Sequence, residues 1–543
     1  MVLKVKSNLG RFSQLRPGHG FNSDLRTPAP DKSALVSARK VFGSSTTDKV
    51  LNRYHRPTPS LDLLREGVLK YDCVLPPRHF SPEYSAALDS LRREFIPEKK
   101  IIPLTLGAVY NHPDFPRGKS PGLPWSNEGY RTKADVVNSA EARSTISRTW
   151  DLVGKNHPVQ LPDSCCFQRL QISDPSKDKV RPVWGYPTTV IVEEGRFFYP
   201  FIQHVLGITQ HDHCYAGGLE MATGGMAYIE QVVQSTFNKM RNRFVMIDWS
   251  SFDTRVPAWL IRDIFDLISE SFDFEHVQDS EGKIWHVNPV QSRRRWAKLI
   301  SYFINTPIRL PNGDRYRKAS GVPSGSMFTN FVDTLCNATV CRFLSFHCTG
   351  SFPEHDLYMG DDGNLLCRGV VNLEDWSRLA ADVFGFVLSV DKSWTTVNPD
   401  NVHFLGFYNR NGLPKRSNEF LVASYVYPER TVRDPIETCS RAVGQLYSCL
   451  DSRLAFRWLE VVEEVLIYHG LTFSDVDEFI NSHPGKFKYL STLGIDPRAV
   501  SSATTLWNPL GQLWNVVPPL SPRRNYQGRH YRPDEQRFYI PAS

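Results

Sequence analysis

The chain contains no Cys-x-x-Cys pair, and its ten cysteines are scattered through 543 residues. Cys165 and Cys166 are adjacent, which seldom satisfies disulfide geometry. Free, mostly buried thiols in a reducing compartment are therefore expected. His211, His213 and Cys214 cluster as possible zinc ligands, but no fourth ligand is spaced to complete a structural site. No apolar run reaches the ~18–20 residues that a membrane span needs, so no membrane association is expected. Lys4 and Lys6 are not followed by the apolar stretch of a secretory signal. A Gly-x4-Gly-Lys-Ser/Thr phosphate loop is also missing, which removes the usual helicase signature.

The length suggests roughly three to four domain-sized units. A charged content of 22% is ordinary for a globular chain, but the net charge of +7 is unevenly placed. Residues 1–60 hold eleven Lys/Arg against three Asp, so the remainder is close to neutral. That segment, rich in Ser, Thr and Pro, reads as an extended basic arm, either for a polyanionic partner or as a solubilising tail. Organised sequence begins near Leu61, where Leu61, Leu63, Leu64 and Val68 fit a short helix.

The most informative stretch runs from Leu357 to Cys367. Two apolar runs flank Gly360-Asp361-Asp362-Gly363, and Asp-Gly between apolar runs predicts a hairpin with both carboxylates at its tip. Adjacent anions resist joint ionisation unless a cation sits between them, so a Mg²⁺ or Mn²⁺ site competes with a plain solvated turn. Upstream, Phe244–Ile247 reads as a buried strand that delivers Asp248, with Asp253 opening the helix that follows. Asn312-Gly313 marks another hairpin, leading into Ser320-Gly321-Val322-Pro323-Ser324-Gly325-Ser326-Met327-Phe328-Thr329-Asn330. Its small residues permit close approach of backbone to a ligand. Lys177, Lys179 and Arg181 alternate and would share one face of an extended chain, suiting phosphate or forming a solvated face. Val402–Tyr408 reads as one apolar strand, and residues from about 414 to 513 as mainly helical.

In this order and spacing the motifs resemble those of viral RNA-dependent RNA polymerases. Asp248 and Asp253 match the first palm motif, Gly321–Asn330 the second, and Gly360-Asp361-Asp362 the third. Lys392 matches the fourth and Phe404-Leu405-Gly406 the fifth, all within about residues 115–410. Lys177 to Arg181 resemble the basic finger motif, and Ser120–Pro124 the loop by which template enters. The wording around Asp248-Trp249-Ser250-Ser251-Phe252-Asp253 and Met359–Asn364 is similar to partitivirus polymerases, from small segmented double-stranded RNA viruses, with picobirnavirus polymerases as nearest rival. One departure stands out: many such enzymes place Asn four residues after the threonine, and here Asp333 occupies that position.

The resemblance implies a mixed α+β right hand with closed fingers, a palm built on an antiparallel sheet with an RRM-like core, and a mainly helical thumb. The expected division is 1–75 basic arm and fingertip extension, 76–240 fingers, 241–269 palm, 270–318 fingers insertion, 319–412 palm, 413–516 thumb and 517–543 basic tail. It implies template-directed nucleotidyl transfer with two Mg²⁺ or Mn²⁺ ions on Asp248 and Asp361, Asp362 being a less direct ligand. Lys177, Lys179 and Arg181 would meet the triphosphate, and Lys392 would protonate the pyrophosphate. Asp253, Ser324, Gly325, Thr329 and Asn330 would bind the nucleotide, with Asn330 taking over the ribose contact. RNA template and product duplex, ribonucleoside triphosphates and a viral capsid protein are the implied partners, and the virion interior in the host cytoplasm the implied location. Two alternatives stay open. A reverse transcriptase would favour a bulky residue where Asp253 stands and an aromatic one near Gly360. A non-catalytic RNA-packaging protein would leave Asp248, Asp361 and Lys392 unexplained.

Overall fold

Alternation of large side chains places the centre of the molecule. In the computed structural model, which describes residues 10–23, 26–221, 224–448 and 452–486, Asn242–Ile247 forms a strand. Val245 and Ile247 join one apolar cluster and Phe244 and Met246 another, so this strand is buried on both faces. It lies within a four-stranded sheet ordered His355–Met359, Asp362–Arg368, Asn242–Ile247, Trp394–Thr396, with every neighbouring pair antiparallel. Helices Ala258–Ser269 and Thr329–Thr349 pack on one face, and helix Gly225–Ser235 shares the cluster on the other. Helix Thr329–Thr349 is buried from Thr329 to Ser345 at every position but Asn330. Such a helix must satisfy its polar side chains internally. This is the mixed, antiparallel-sheet architecture expected.

A second sheet, five-stranded, is ordered Ser13–Leu15, Arg315–Arg317, Pro307–Arg309, Ser164–Leu170, Val180–Gly185. The Asn312-Gly313 hairpin forms as expected, with Gly313 at φ +96°. Ser13–Leu15 adds to its far strand, so the beginning of the described chain is ordered. Every cysteine among the described residues is free.

The reading of residues 1–60 as an extended arm fails from Lys32 onward. Lys32–Phe42 and Ser44–Arg53 are helices whose Ala34, Ala38, Val41 and Val50 are buried against Leu421, Val422, Tyr425 and Trp458. The apolar stripe is narrow and diluted by Ser, Lys and Arg, so tertiary burial, not local hydrophobicity, makes these helices. Asp31 caps the first of them through Ala34 N and also accepts from Thr438 Oγ1 at 2.6 Å and Arg441 at 2.9 Å. The partners come from a helical unit, Asn418–Val426, Pro435–Ser448, Ser452–His469 and Phe473–Ser482, as expected for the described part of that region. The rest of the expected helical region, 487–513, and the expected tail at 517–543 lie outside the described residues.

Two local expectations are also corrected. Val402–Tyr408 is two short strands, His403–Phe404 and Phe407–Arg410, folded at Leu405-Gly406, both with positive φ. The hairpin carrying the carboxylates turns at Gly360-Asp361, since Met359 pairs with Asp362 and Gly360 holds φ +61°. Gly363 of the Asp-Gly pair is an ordinary strand residue opposite Ile247. Asp361 is therefore at the tip and Asp362 begins the strand.

Replacing Asp31 by Ala removes a helix cap and leaves Arg441 without its carboxylate. Chemical denaturation should show a loss of about 2–4 kcal/mol. A loss below about 0.5 kcal/mol would mean the N-terminal helices are held by apolar contact alone.

Candidate active site

Strand register assembles the acidic centre. Gly363 pairs with Ile247, so Asp362 and Asp248 end neighbouring strands side by side. Beyond Asp248 the chain pairs Trp249-Ser250 with Val387-Leu388, then turns at Ser251, a non-glycine residue at φ +52°. That turn starts the short helix Phe252–Arg255 and aims Asp253 back at the same space. The ladder to Val387-Leu388 also brings Lys392 close: Ser389 N donates to Asp248 O at 2.9 Å and Lys392 N to Ser389 O at 3.1 Å.

The result is a cavity of about 360 Å³ whose lining includes Asp248, Asp253, Asp361, Lys179, Arg181 and Lys392. Lys70, from the end of helix Leu61–Leu69, joins them and was not foreseen. Lys177 is not brought in. Residues 174–177 fold into a turn, Lys177 N bonding Asp174 O at 2.9 Å, so the extended alternation holds only from Lys179. Lys177 is exposed.

The charges in this space oppose one another. Burial, then the charges of Asp362 and Asp253, push the Asp361 carboxyl well above the usual range. Burial and Asp248 raise Asp362 to about 7. Asp248 is raised by burial, partly offset by Lys392 and a hydrogen bond from Ser389. Lys179 falls to about 8 through burial and the neighbouring charges of Arg181, Lys392 and Lys70, against Asp248. Oxygen donors that raise one another in this way fit a hard divalent cation. Among the described residues, no three His, Cys, Asp or Glu side chains already enclose a metal-sized space. The chemistry of Asp248, Asp361 and Asp362 fits an ion.

The glycine loop is fixed from behind. Ser324 Oγ accepts from Trp184 N at 3.0 Å, and a Cβ on Gly325 would lie 1.6 Å from Trp184 O, so only glycine fits there. Thr329 Oγ1 donates to Pro323 O, closing the loop on itself. These three residues shape the loop and hold it against Trp184. Asn330 accepts from Tyr215 Oη at 3.0 Å and stands beside Gly360. Asp253 meets the side chain of Asp333.

Several supporting residues escaped the sequence reading. Asn337 donates to Gly360 O at 3.0 Å and Asp362 O at 3.3 Å, and accepts from Trp249 Nε1 at 2.9 Å. Thr334 Oγ1 accepts from Gly360 N at 2.9 Å. The helical spacing of Thr329, Asp333 and Asn337, one turn apart, was the available signal. Glu194, fully buried on helix Thr188–Gly207, accepts from Ser326 Oγ at 2.8 Å and Met327 N at 2.8 Å. Lys318, also buried, donates to three carbonyls, of Phe303, Ile304 and Gly321. Neither had a local sequence signal.

Comparison with known proteins agrees with the motif reading. A family described as viral RNA-dependent RNA polymerase matches residues 93–438. The RNA-directed RNA polymerase of Atkinsonella hypoxylon virus is 29% identical over 396 residues, covering 64% of this chain and 57% of its own length. That of white clover cryptic virus 1 is 26% identical over 320 residues, covering 55% and 50%. The chain thus spans about half the length of the curated relatives it matches. Among solved structures, the Sicinivirus 3Dpol RNA-dependent RNA polymerase superposes with a TM-score of 0.64 at 12% identity, over 89% of this chain and 99% of its own. The polymerase of a human picobirnavirus gives 0.59 at 14% identity, over 89% of each chain. At those identities the superpositions speak for the fold.

Two outcomes follow. Asn337→Ala orphans two carbonyls and the Trp249 indole, so unfolding should cost about 2–4 kcal/mol less, measured by denaturant titration. An unchanged midpoint would mean the hairpin tip does not depend on this amide. Burial lifts Glu194 to about 8, so folding favours its protonated form. Its stabilisation is complete below the unfolded value of 4.5 and is lost as pH rises through 8. Relative to Glu194→Gln, the wild type should lose about 1.4 kcal/mol per pH unit within that window. Parallel stability curves for the two proteins would contradict this.

Proposed function

We propose that this chain, which belongs to the viral RNA-dependent RNA polymerase family, joins ribonucleotides on an RNA template by nucleotidyl transfer. The observation that carries the reading is the convergence of Asp248, Asp253 and Asp361 with Lys179, Arg181 and Lys392 around one cavity. A pair of Mg²⁺ or Mn²⁺ ions would be held by Asp248 and Asp361, with Asp362 assisting. Bound there, the ions would supply activation of the attacking hydroxyl and neutralisation of the developing phosphate charge.

The protein groups divide the remaining work. Arg181 and Lys179 offset the charge of the incoming triphosphate, and Lys179, depressed to about 8, keeps its proton most readily when that anion is present. Lys392 gives a proton to the leaving pyrophosphate, while the 3′-hydroxyl of the growing strand attacks the α-phosphate. Asp253 accepts a hydrogen bond from the ribose 2′-hydroxyl, which deoxyribose cannot offer; a buried acceptor left unpaired penalises the wrong sugar. This, with Gly360 where an aromatic residue would be expected, is the argument against a reverse transcriptase. Residues 76–240 with 270–318 act as fingers, 241–269 with 319–412 as palm, and 413–516 as thumb. Replication and transcription of a double-stranded RNA genome inside a capsid complete the reading.

Purified chain, a defined RNA template and labelled nucleotides test it. Ribonucleotide incorporation should appear with Mg²⁺ or Mn²⁺ and drop about 10³-fold or more in Asp361→Asn. Lys392→Leu should lower kcat about 10²-fold with little change in KM. Preference for deoxyribonucleotides, or activity retained in Asp361→Asn, would refute the assignment.

A further inference from the structure

Asp333 faces inward from helix Thr329–Thr349 and is only 5% exposed. Its side chain is hydrogen-bonded to that of Asp253. Among the described residues no N–H or hydroxyl reaches its Oδ1. An ionised carboxylate has acceptors only, so two of them within hydrogen-bonding reach can bind only if one carries a proton. The two are not equivalent. Asp253 lines the cavity and feels the charge of Arg181, whereas Asp333 is sealed behind it. The other groups acting on Asp333 are Asp361, from the hairpin tip, and Lys318. Lys318 has its ammonium committed to three backbone carbonyls. Tyr71 and Cys336, both buried, also lie within reach of its charge and stay neutral.

Resting on the polymerase reading above, we infer that Asp333 holds a proton and donates it to Asp253, fixing the Asp253 carboxylate as the acceptor for the ribose 2′-hydroxyl. The pair then carries one negative charge. Asp333 is a positioning residue: it touches no substrate, and does with a carboxylic acid what an amide could do permanently. Burial and the charge of Asp253 act in the same sense, holding its carboxyl well above the ordinary range. On the alkaline side its loss sets two anions against each other, and Asp253 is no longer held. Sugar discrimination in this chain is therefore titratable.

The test measures kcat/KM for a ribonucleotide and its deoxy counterpart from pH 6 to the alkaline limit of stability, in wild type, Asp333→Asn and Asp333→Ala. The wild-type ribo/deoxy ratio should fall about tenfold or more through one alkaline step. Asp333→Asn should keep the neutral-pH ratio within about threefold and lose the step, since the amide donates at every pH. Asp333→Ala should lose about tenfold in the ratio, mainly as a raised ribonucleotide KM. Infrared difference spectra of wild type against Asp333→Asn should contain a protonated-carboxyl stretch at pH 7, whether or not the protein is active. Discrimination lost equally in the Asn and Ala variants, identical pH profiles for wild type and Asp333→Asn, or no protonated-carboxyl band would overturn the inference. A wild type that incorporates no nucleotide would remove the polymerase reading and the sugar role together, leaving the infrared band to decide the shared proton separately.

Discussion

Mutual repulsion among half-buried carboxylates, with Asp333 fully buried behind them, is the constraint around which this protein is built. Asp248, Asp361 and Asp362 are pressed together by strand register, and Asp253 and Asp333 by a turn and a helix. None of them would choose this company in water, so the scaffold must hold them against their own charge. It does so by making slippage impossible. The Asn242–Ile247 strand is packed on both faces, and a shift of one residue would exchange Val245 and Ile247 with Phe244 and Met246 between two separate clusters.

Helix Thr329–Thr349 supplies the second half of that restraint. Because it is buried nearly all round, its Thr334 and Asn337 have no water to bond and instead take the backbone of the hairpin tip. Glu194 and Lys318 do the same for the glycine loop. The acidic groups are thus held by rigid elements, as the proposed nucleotidyl transfer would require.

Where a residue's role follows from its immediate neighbours, the sequence announced it. The strand ending at Asp248, the hairpin at Asp361 and the helix after Thr329 all carry their periodicity and turn chemistry locally. Where a role depends on a distant partner, it was hidden. Lys177 looked equivalent to Lys179 until Asp174 turned the chain, and nothing local showed that Asp333 would meet Asp253. The N-terminal helices form only because Tyr425 and Trp458 are there to cover them, nearly four hundred positions away. The positive φ of Leu405 broke an apolar run that reads as continuous strand.

The proposed function needs this carboxylate cluster to bind a divalent cation. Manganese binding followed by electron paramagnetic resonance, in wild type, Asp248→Asn and Asp361→Asn, tests it without depending on template, primer or particle. Saturable binding in the wild type that is lost or weakened about tenfold or more in each variant is the predicted result. Equal binding in all three proteins would place the ions elsewhere and contradict the account.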